Sequence, residues 1–180
     1  MPPDLGVVVW LTGLPSSGKS TLSEELARRF VARGRGVRVL DGDVIRRAFW
    51  PELGFSREDR DANVRRTGLL AELLVEHGLV VIVALVSPYA SARDDVRNRI
   101  QRFVEVFVDC PIDECVRRDV KGLYAAQRAG TVRGVTGVDD PYEAPSRPDV
   151  HARTDRPDVA TCADGVIARA LELGFLGDAR

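Results

Sequence analysis

Gly13-Leu14-Pro15-Ser16-Ser17-Gly18-Lys19-Ser20 fits the pattern G-x-x-x-x-G-K-[ST], with Thr21 next in line. It lies between an apolar β-branched run, Val7 to Leu11, and a segment in which Leu22, Leu26, Ala27 and Phe30 recur at helical spacing. A strand that enters a helix through such a turn is a phosphate cradle. The glycines let backbone N–H groups turn inward around phosphate oxygens, and the helix N-terminus adds its partial positive charge. In that setting Lys19 bridges the β- and γ-phosphates of ATP and Ser20 holds Mg²⁺.

The rest of the chain repeats the alternation of strand and helix. Strands are predicted at Val37 to Leu40, Leu79 to Val86, Phe103 to Val108 and Val150 to Arg153. Helices are predicted from Lys19 to Ala32, from Ser56 to His77, from Ala92 to Arg102, from Pro111 to Arg118 and from Ala160 to Leu173. Ser56 with Asp59 three residues on resembles a capping box, with Asp in the Glu position. The expected fold class is α/β: a three-layer P-loop kinase fold, with a parallel sheet of about five strands covered by helices on both faces. The 180 residues suit one kinase domain. Residues 130–148 break the alternation with glycines, prolines and acids, and read as a lid loop.

Charge and cysteine usage narrow the function classes. A net charge of −1 argues against nucleic acid as a main partner. The apolar run from Leu79 to Val86 is too short to span a bilayer, so no membrane is expected. Met1 to Asp4 lead into no signal-peptide pattern. Cys110, Cys115 and Cys162 form no C-x-x-C pair and read as free thiols, consistent with a cytoplasmic location. Only Lys19 and Lys121 are lysines among 26 Lys+Arg residues, which marks both for a chemical need for an ammonium.

Asp41-Gly42-Asp43 ends the second predicted strand. At the carboxyl ends of a doubly wound sheet, one carboxylate would orient Mg²⁺-bound water and the other would accept a hydroxyl proton. The spacing alone equally fits a plain turn. Arg46, Arg57, Arg60, Arg65 and Arg66 interleave with Glu58, Asp59 and Asp61, which fits surface ion pairing on a helix. His77 suits the helix C-terminus.

Taken together, the motif from Gly13 to Thr21, Leu40 to Asp43, Leu53 to Arg60, Asn63 to Arg66, Val83 to Tyr89, Lys121 to Tyr124 and Thr136 to Pro145 resemble, in order, those of adenylyl-sulfate kinases. The resemblance implies transfer of the ATP γ-phosphate to the 3′-hydroxyl of adenosine 5′-phosphosulfate, with Mg²⁺, in a homodimer. It implies catalytic roles for Lys19, Asp41, Asp43 and Ser87, with Asp43 nearest the accepting hydroxyl and Asp41 beside the metal. Arg46, Phe55, Arg60, Asn63, Val86, Ser87, Lys121, Leu123 and Val135 match the acceptor site, with Phe55 stacking on adenine. Arg118 and Lys121 match positions beside the ATP base and the lid. Direct in-line transfer needs no phosphoserine, so Ser87 is read as a substrate contact.

The sequence departs from the family at Val44, where Asn is usual, and at Val135, where Phe usually forms the second jaw on the adenine. Phe49-Trp50-Pro51 is a bulky, unusual stretch before Leu53. These changes leave open a same-fold kinase acting on another small hydroxyl compound. A nucleotide-binding regulatory module without turnover is disfavoured by the paired Asp41 and Asp43.

Overall fold

The computed structural model describes residues 5–156 and 158–176; the N-terminal stretch read for a leader lies outside them. Five parallel strands form one sheet: β1 (Val7–Thr12), β2 (Val37–Asp41), β3 (Val80–Ala84), β4 (Phe103–Asp109) and β5 (Val150–Arg153), in the order β2-β3-β1-β4-β5. Every residue of β1 is buried, as a central strand covered on both faces requires. Its side chains alternate between two cores. Val7, Val9 and Leu11 meet Leu22, Leu26 and Phe30 of α1 (Lys19–Ala32) and Ala163, Val166 and Ile167 of α7 (Val159–Glu172). Val8 and Trp10 meet Val64, Ala71 and Val75 of α3 (Arg57–Glu76) and Ala92 and Val96 of α4 (Ala90–Arg99). This is the expected three-layer arrangement.

Register fixes where a site can form. Leu11 of β1 and Asp41 of β2 are both level with Ala84 of β3, so three strands end at one height. The chain leaves β1 toward one face of the sheet and β3 toward the other, which opens a crevice between their carboxyl ends. The glycine-rich loop and the Leu85–Pro88 turn are its two lips.

Two helices were not anticipated: α2 (Gly42–Phe49) and α6 (Leu123–Arg128), the latter following α5 (Ile112–Arg118). Asp41 caps α2, its Oδ1 accepting from the amides of Asp43 (3.0 Å) and Val44 (3.2 Å). β3 stops at Ala84 rather than Val86, because Leu85 and Val86 turn into the crevice lining. The fourth helix is displaced to Ala90–Arg99, since Ile100 is buried as its C-cap ahead of β4. Ser56 caps α3 as predicted, but Asp59 turns its carboxylate to the Gly54 amide (3.1 Å) rather than back to Ser56. His77 bonds the Leu73 carbonyl in the last turn of α3. Residues 130–148 hold no helix or strand beyond an isolated bridge between Thr136 and Asp140. All three cysteines are free, with Cys110 and Cys115 buried and Cys162 partly so. No helix among the described residues is long and apolar enough to cross a membrane.

Candidate active site

The crevice between β1 and β3 is a cavity of about 650 Å³, the size of a nucleotide site. Seven cationic side chains line it (Lys19, Arg46, Arg60, Arg118, Lys121, Arg133 and Arg156) against three carboxylates, Asp41, Asp43 and Asp158. In a chain of net charge −1, that concentration of positive charge is the signature of a site for anions.

At one lip the backbone is shaped by close approach and unusual torsions. A Cβ on Gly13 would lie 2.4 Å from the Val108 carbonyl oxygen, so no larger residue fits there. Gly18 has φ 99° and Ser16 φ 61°, both left-handed, which turns the loop back toward the helix it precedes. α1 starts at Lys19 with no side-chain cap and no acid in its first turn, so its N-terminal amides and dipole are left to a ligand. Pro15, Ser16, Gly18, Lys19, Ser20 and Thr21 line the crevice. Ser17 is fully buried behind them, and the Leu14 side chain packs into the cluster of Cys110, Cys115 and Tyr124. The Lys19 ammonium donates to the carbonyls of Gly13 (2.9 Å) and Leu14 (2.6 Å). Burial pulls its pKa down to about 8.

Across the crevice, the start of α2 presents Asp43, which is ion-paired with Lys121. Both scarce lysines therefore meet in one site. Arg118, at the end of α5, donates to the Thr154 carbonyl (2.6 Å), and Thr154 in turn donates from Oγ1 to the Ser17 carbonyl (2.6 Å). These bonds tie the β5–α7 loop to the back of the glycine-rich loop, a link with no sequence motif.

Phe55 is exposed, with the Arg46 guanidinium 4.1 Å from its ring centre and that of Arg60 5.7 Å away. Arg46 donates to the Gly54 carbonyl, while its buried Nε has no hydrogen-bond partner among the described residues. Burial first, then the neighbouring Arg60, lower the Arg46 pKa. Arg60 reaches back to Phe55 O (2.9 Å) and out to Thr136 Oγ1 (2.8 Å), joining α3 to the 130–148 segment. Among the described residues these arginines form no ion pair with Glu58, Asp59 or Asp61. Arg57, Arg60, Arg65 and Arg66 pair instead with Glu143, Asp140, Asp95 and Glu52, all outside that acidic triplet.

Val86, Leu123 and Val135 line the crevice, but Val135 is only 2% exposed and packs in the cluster with Cys115 and Tyr124. It is a wall beneath the loop rather than an open jaw. Ser87 lines the crevice as well. Its hydroxyl is buried, accepting from Trp10 Nε1 (3.1 Å) and lying 3.3 Å from the Leu85 carbonyl. Its φ of 41° is strained for a non-glycine residue.

Arg93 of α4 holds that turn. This buried guanidinium donates to Ser87 O (2.6 Å), to Glu143 O (2.6 Å) and to the Glu105 carboxylate of β4 (3.2 Å). It thereby fastens the crevice lip to the exit of the 130–148 segment, a residue sequence reasoning missed because a buried arginine reads like any other helix arginine. Arg93→Met should lower unfolding free energy by about 2–4 kcal/mol in urea titrations, since it leaves Glu105 with Arg97 alone and takes a donor from two carbonyls. A loss under about 1 kcal/mol would remove Arg93 from this role.

Comparison with known proteins agrees with this geometry. Residues 5–153 match the family model described as adenylylsulphate kinase. The chain belongs to that family. An adenylyl-sulfate kinase of Picosynechococcus is 49% identical over 171 residues, covering 95% of this chain and 97% of the relative. The Mycobacterium tuberculosis APS kinase, solved in complex with AMPPNP and APS, superposes with a TM-score of 0.88 at 42% identity, covering 95% of this chain and 99% of that one. A hexameric APS kinase from Thiobacillus denitrificans has a TM-score of 0.72 at 32% identity, covering 98% of this chain and 31% of that one.

Proposed function

We propose that this protein transfers the γ-phosphate of ATP to the 3′-hydroxyl of adenosine 5′-phosphosulfate, yielding ADP and 3′-phosphoadenosine 5′-phosphosulfate in sulfate activation. The observation that carries the reading is the arrangement of Arg46 and Arg60 about the exposed Phe55 ring, with Asp43 on the same side of the crevice and the glycine-rich loop opposite. Two like charges beside one exposed aromatic ring suit a ligand with both an anionic group and a flat base. The unpartnered Arg46 Nε supplies a donor for that anion.

The division of labour follows from position. The loop amides and Lys19 take the ATP phosphates, and Lys19 neutralises charge as the phosphoryl group moves. Asp43 accepts the proton of the attacking hydroxyl; phosphate competing for Lys121 frees its carboxylate. Arg118 flanks the ATP base. Mg²⁺ in a nucleotide site is held mainly through phosphates and water. Ser20 and Asp41 would hold it, and it would supply further charge neutralisation. Residues 130–148 act as a lid on a single kinase domain, and the assembly is a homodimer, checked by sedimentation.

The test is ADP release with and without adenosine 5′-phosphosulfate. Acceptor-dependent release with formation of the 3′-phosphorylated product is expected. ATP binding without such release would overturn this acceptor. A kinase for another small hydroxyl compound would then stand, a reading favoured by the withdrawal of Val135 from the crevice mouth and the lack of a second ring opposite Phe55 among the described residues.

A further inference from the structure

The unusual Trp50 has a role that the reaction scheme above leaves untouched. It follows α2, is 8% exposed, and belongs to the core shared by Ile45, Val64 and Ala71. Its indole Nε1 lies 2.6 Å from Asn63 Oδ1. An indole can only donate, so the Asn63 amide must turn its oxygen to Trp50. Asn63 is itself fixed on α3: it is 7% exposed, and its backbone carbonyl accepts from Thr67 Oγ1 (2.7 Å). Yet Asn63 lines the crevice, whereas Trp50 does not. Its Nδ2 donates no hydrogen bond to the described residues and is not among the sealed, unpartnered buried atoms.

A free asparagine amide is ambiguous. It shows a ligand either a donor or an acceptor, depending on a rotation of its terminal group. The Trp50 bond removes that ambiguity. We propose that Trp50 is a positioning residue which makes Asn63 donor-only toward the crevice, so that this point of the acceptor subsite takes oxygen or ring-nitrogen acceptors and rejects donors. The inference rests on the acceptor reading given above. It also accounts for the indole at a place where bulk alone would be met by phenylalanine or leucine: only the N–H sets the polarity of the amide.

The test is a double-mutant cycle on acceptor KM, with Trp50→Phe, Asn63→Ala and the pair. Trp50→Phe keeps an aromatic ring in the core and deletes the donor. It should raise acceptor KM about five- to tenfold, the scale of one hydrogen bond, with kcat and ATP KM changing much less. In the Asn63→Ala background the same substitution should add nothing. An unchanged acceptor KM, or an equal rise with and without Asn63, would reduce Trp50 to core packing and overturn the proposal. Asn63→Asp covers the case in which Trp50→Phe fails to fold: it preserves an oxygen for the indole but offers the ligand no donor. Acceptor KM should rise at least as far as in Asn63→Ala, and wild-type affinity would sink the idea. Failure of the acceptor reading is separately visible, as wild-type protein that does not turn over adenosine 5′-phosphosulfate. In that event the Asn63 side-chain NH₂ resonances decide the matter in ligand-free protein. They should shift and broaden in Trp50→Phe if the indole orients the amide, and identical spectra overturn it.

Discussion

Lys19→Ala is expected to cut phosphoryl transfer about 10³-fold while the protein stays folded, because the lost ammonium neutralises charge that grows on the transferring group. The same variant has a pH signature that separates charge from geometry. Burial holds Lys19 near a pKa of about 8, below the ordinary 10.5, while bound polyphosphate favours its charged form. Nucleotide affinity in the wild type should therefore weaken as pH rises above about 8, and the alanine variant should lack that dependence. Stability runs the other way. The unfolded chain keeps the Lys19 proton up to 10.5, so between about 8 and 10.5 it binds more protons than the folded one and stability gains with pH. Removing Lys19 should flatten that gain. Nucleotide Kd and urea midpoints measured from pH 7 to 10 give both slopes. Near-normal turnover without Lys19 would take the glycine-rich loop out of the mechanism.

The parts of the molecule legible in the sequence are those where one residue type has one physical use. Val7 to Leu11 can be little but a strand buried on both faces, and the loop that follows needs its glycines at Gly13 and Gly18 for contact and torsion reasons visible in the fold. The parallel sheet and its two-sided core follow from alternation; the strand order β2-β3-β1-β4-β5 does not. α2 was illegible because it is only eight residues long and opens on Asp41-Gly42-Asp43, which also reads as a turn; its cap, Asp41, was noticed only as a candidate carboxylate. That one side chain serves both ends of the argument, since Asp41 starts the helix that carries Asp43. α6 is shorter still, at six residues.

The site was legible through its motifs and illegible through its supports. Lys19, Asp43, Arg46, Phe55, Arg60, Arg118 and Lys121 all reach one crevice. Nothing in sequence distinguishes Arg93, buried under the lip, from exposed Arg65, because burial of an arginine is decided by Glu105 and two carbonyls contributed from elsewhere. The support of Ser87 was hidden in the same way: its hydroxyl accepts from Trp10, 77 residues away in the chain. Trp50 carried a signal, bulk where bulk was unexpected, but its partner lay on another helix.

Asp43→Asn should lower kcat by about 10²–10⁴-fold and leave ATP KM within a few-fold, since an amide cannot accept the proton of the attacking hydroxyl. The comparison with Asp41→Asn makes this decisive. Asp41 Oδ1 is engaged by the amides of Asp43 and Val44 at the start of α2, and asparagine caps a helix about as well as aspartate. Asp41→Asn therefore keeps α2 in place and changes only what the second carboxylate oxygen offers to Mg²⁺. Its loss should show as a weaker dependence of rate on Mg²⁺ that added metal partly restores. Asp43 has no cap to maintain; its carboxylate faces the Lys121 ammonium at the crevice, and both side chains are more than half exposed. No amount of metal should rescue Asp43→Asn, because what is missing is a base. The measurement is kcat against Mg²⁺ concentration at saturating ATP and acceptor for both variants. Rescue of Asp43→Asn by metal, with Asp41→Asn refractory, would exchange the two assignments and place the base at the end of β2 instead of the first turn of α2.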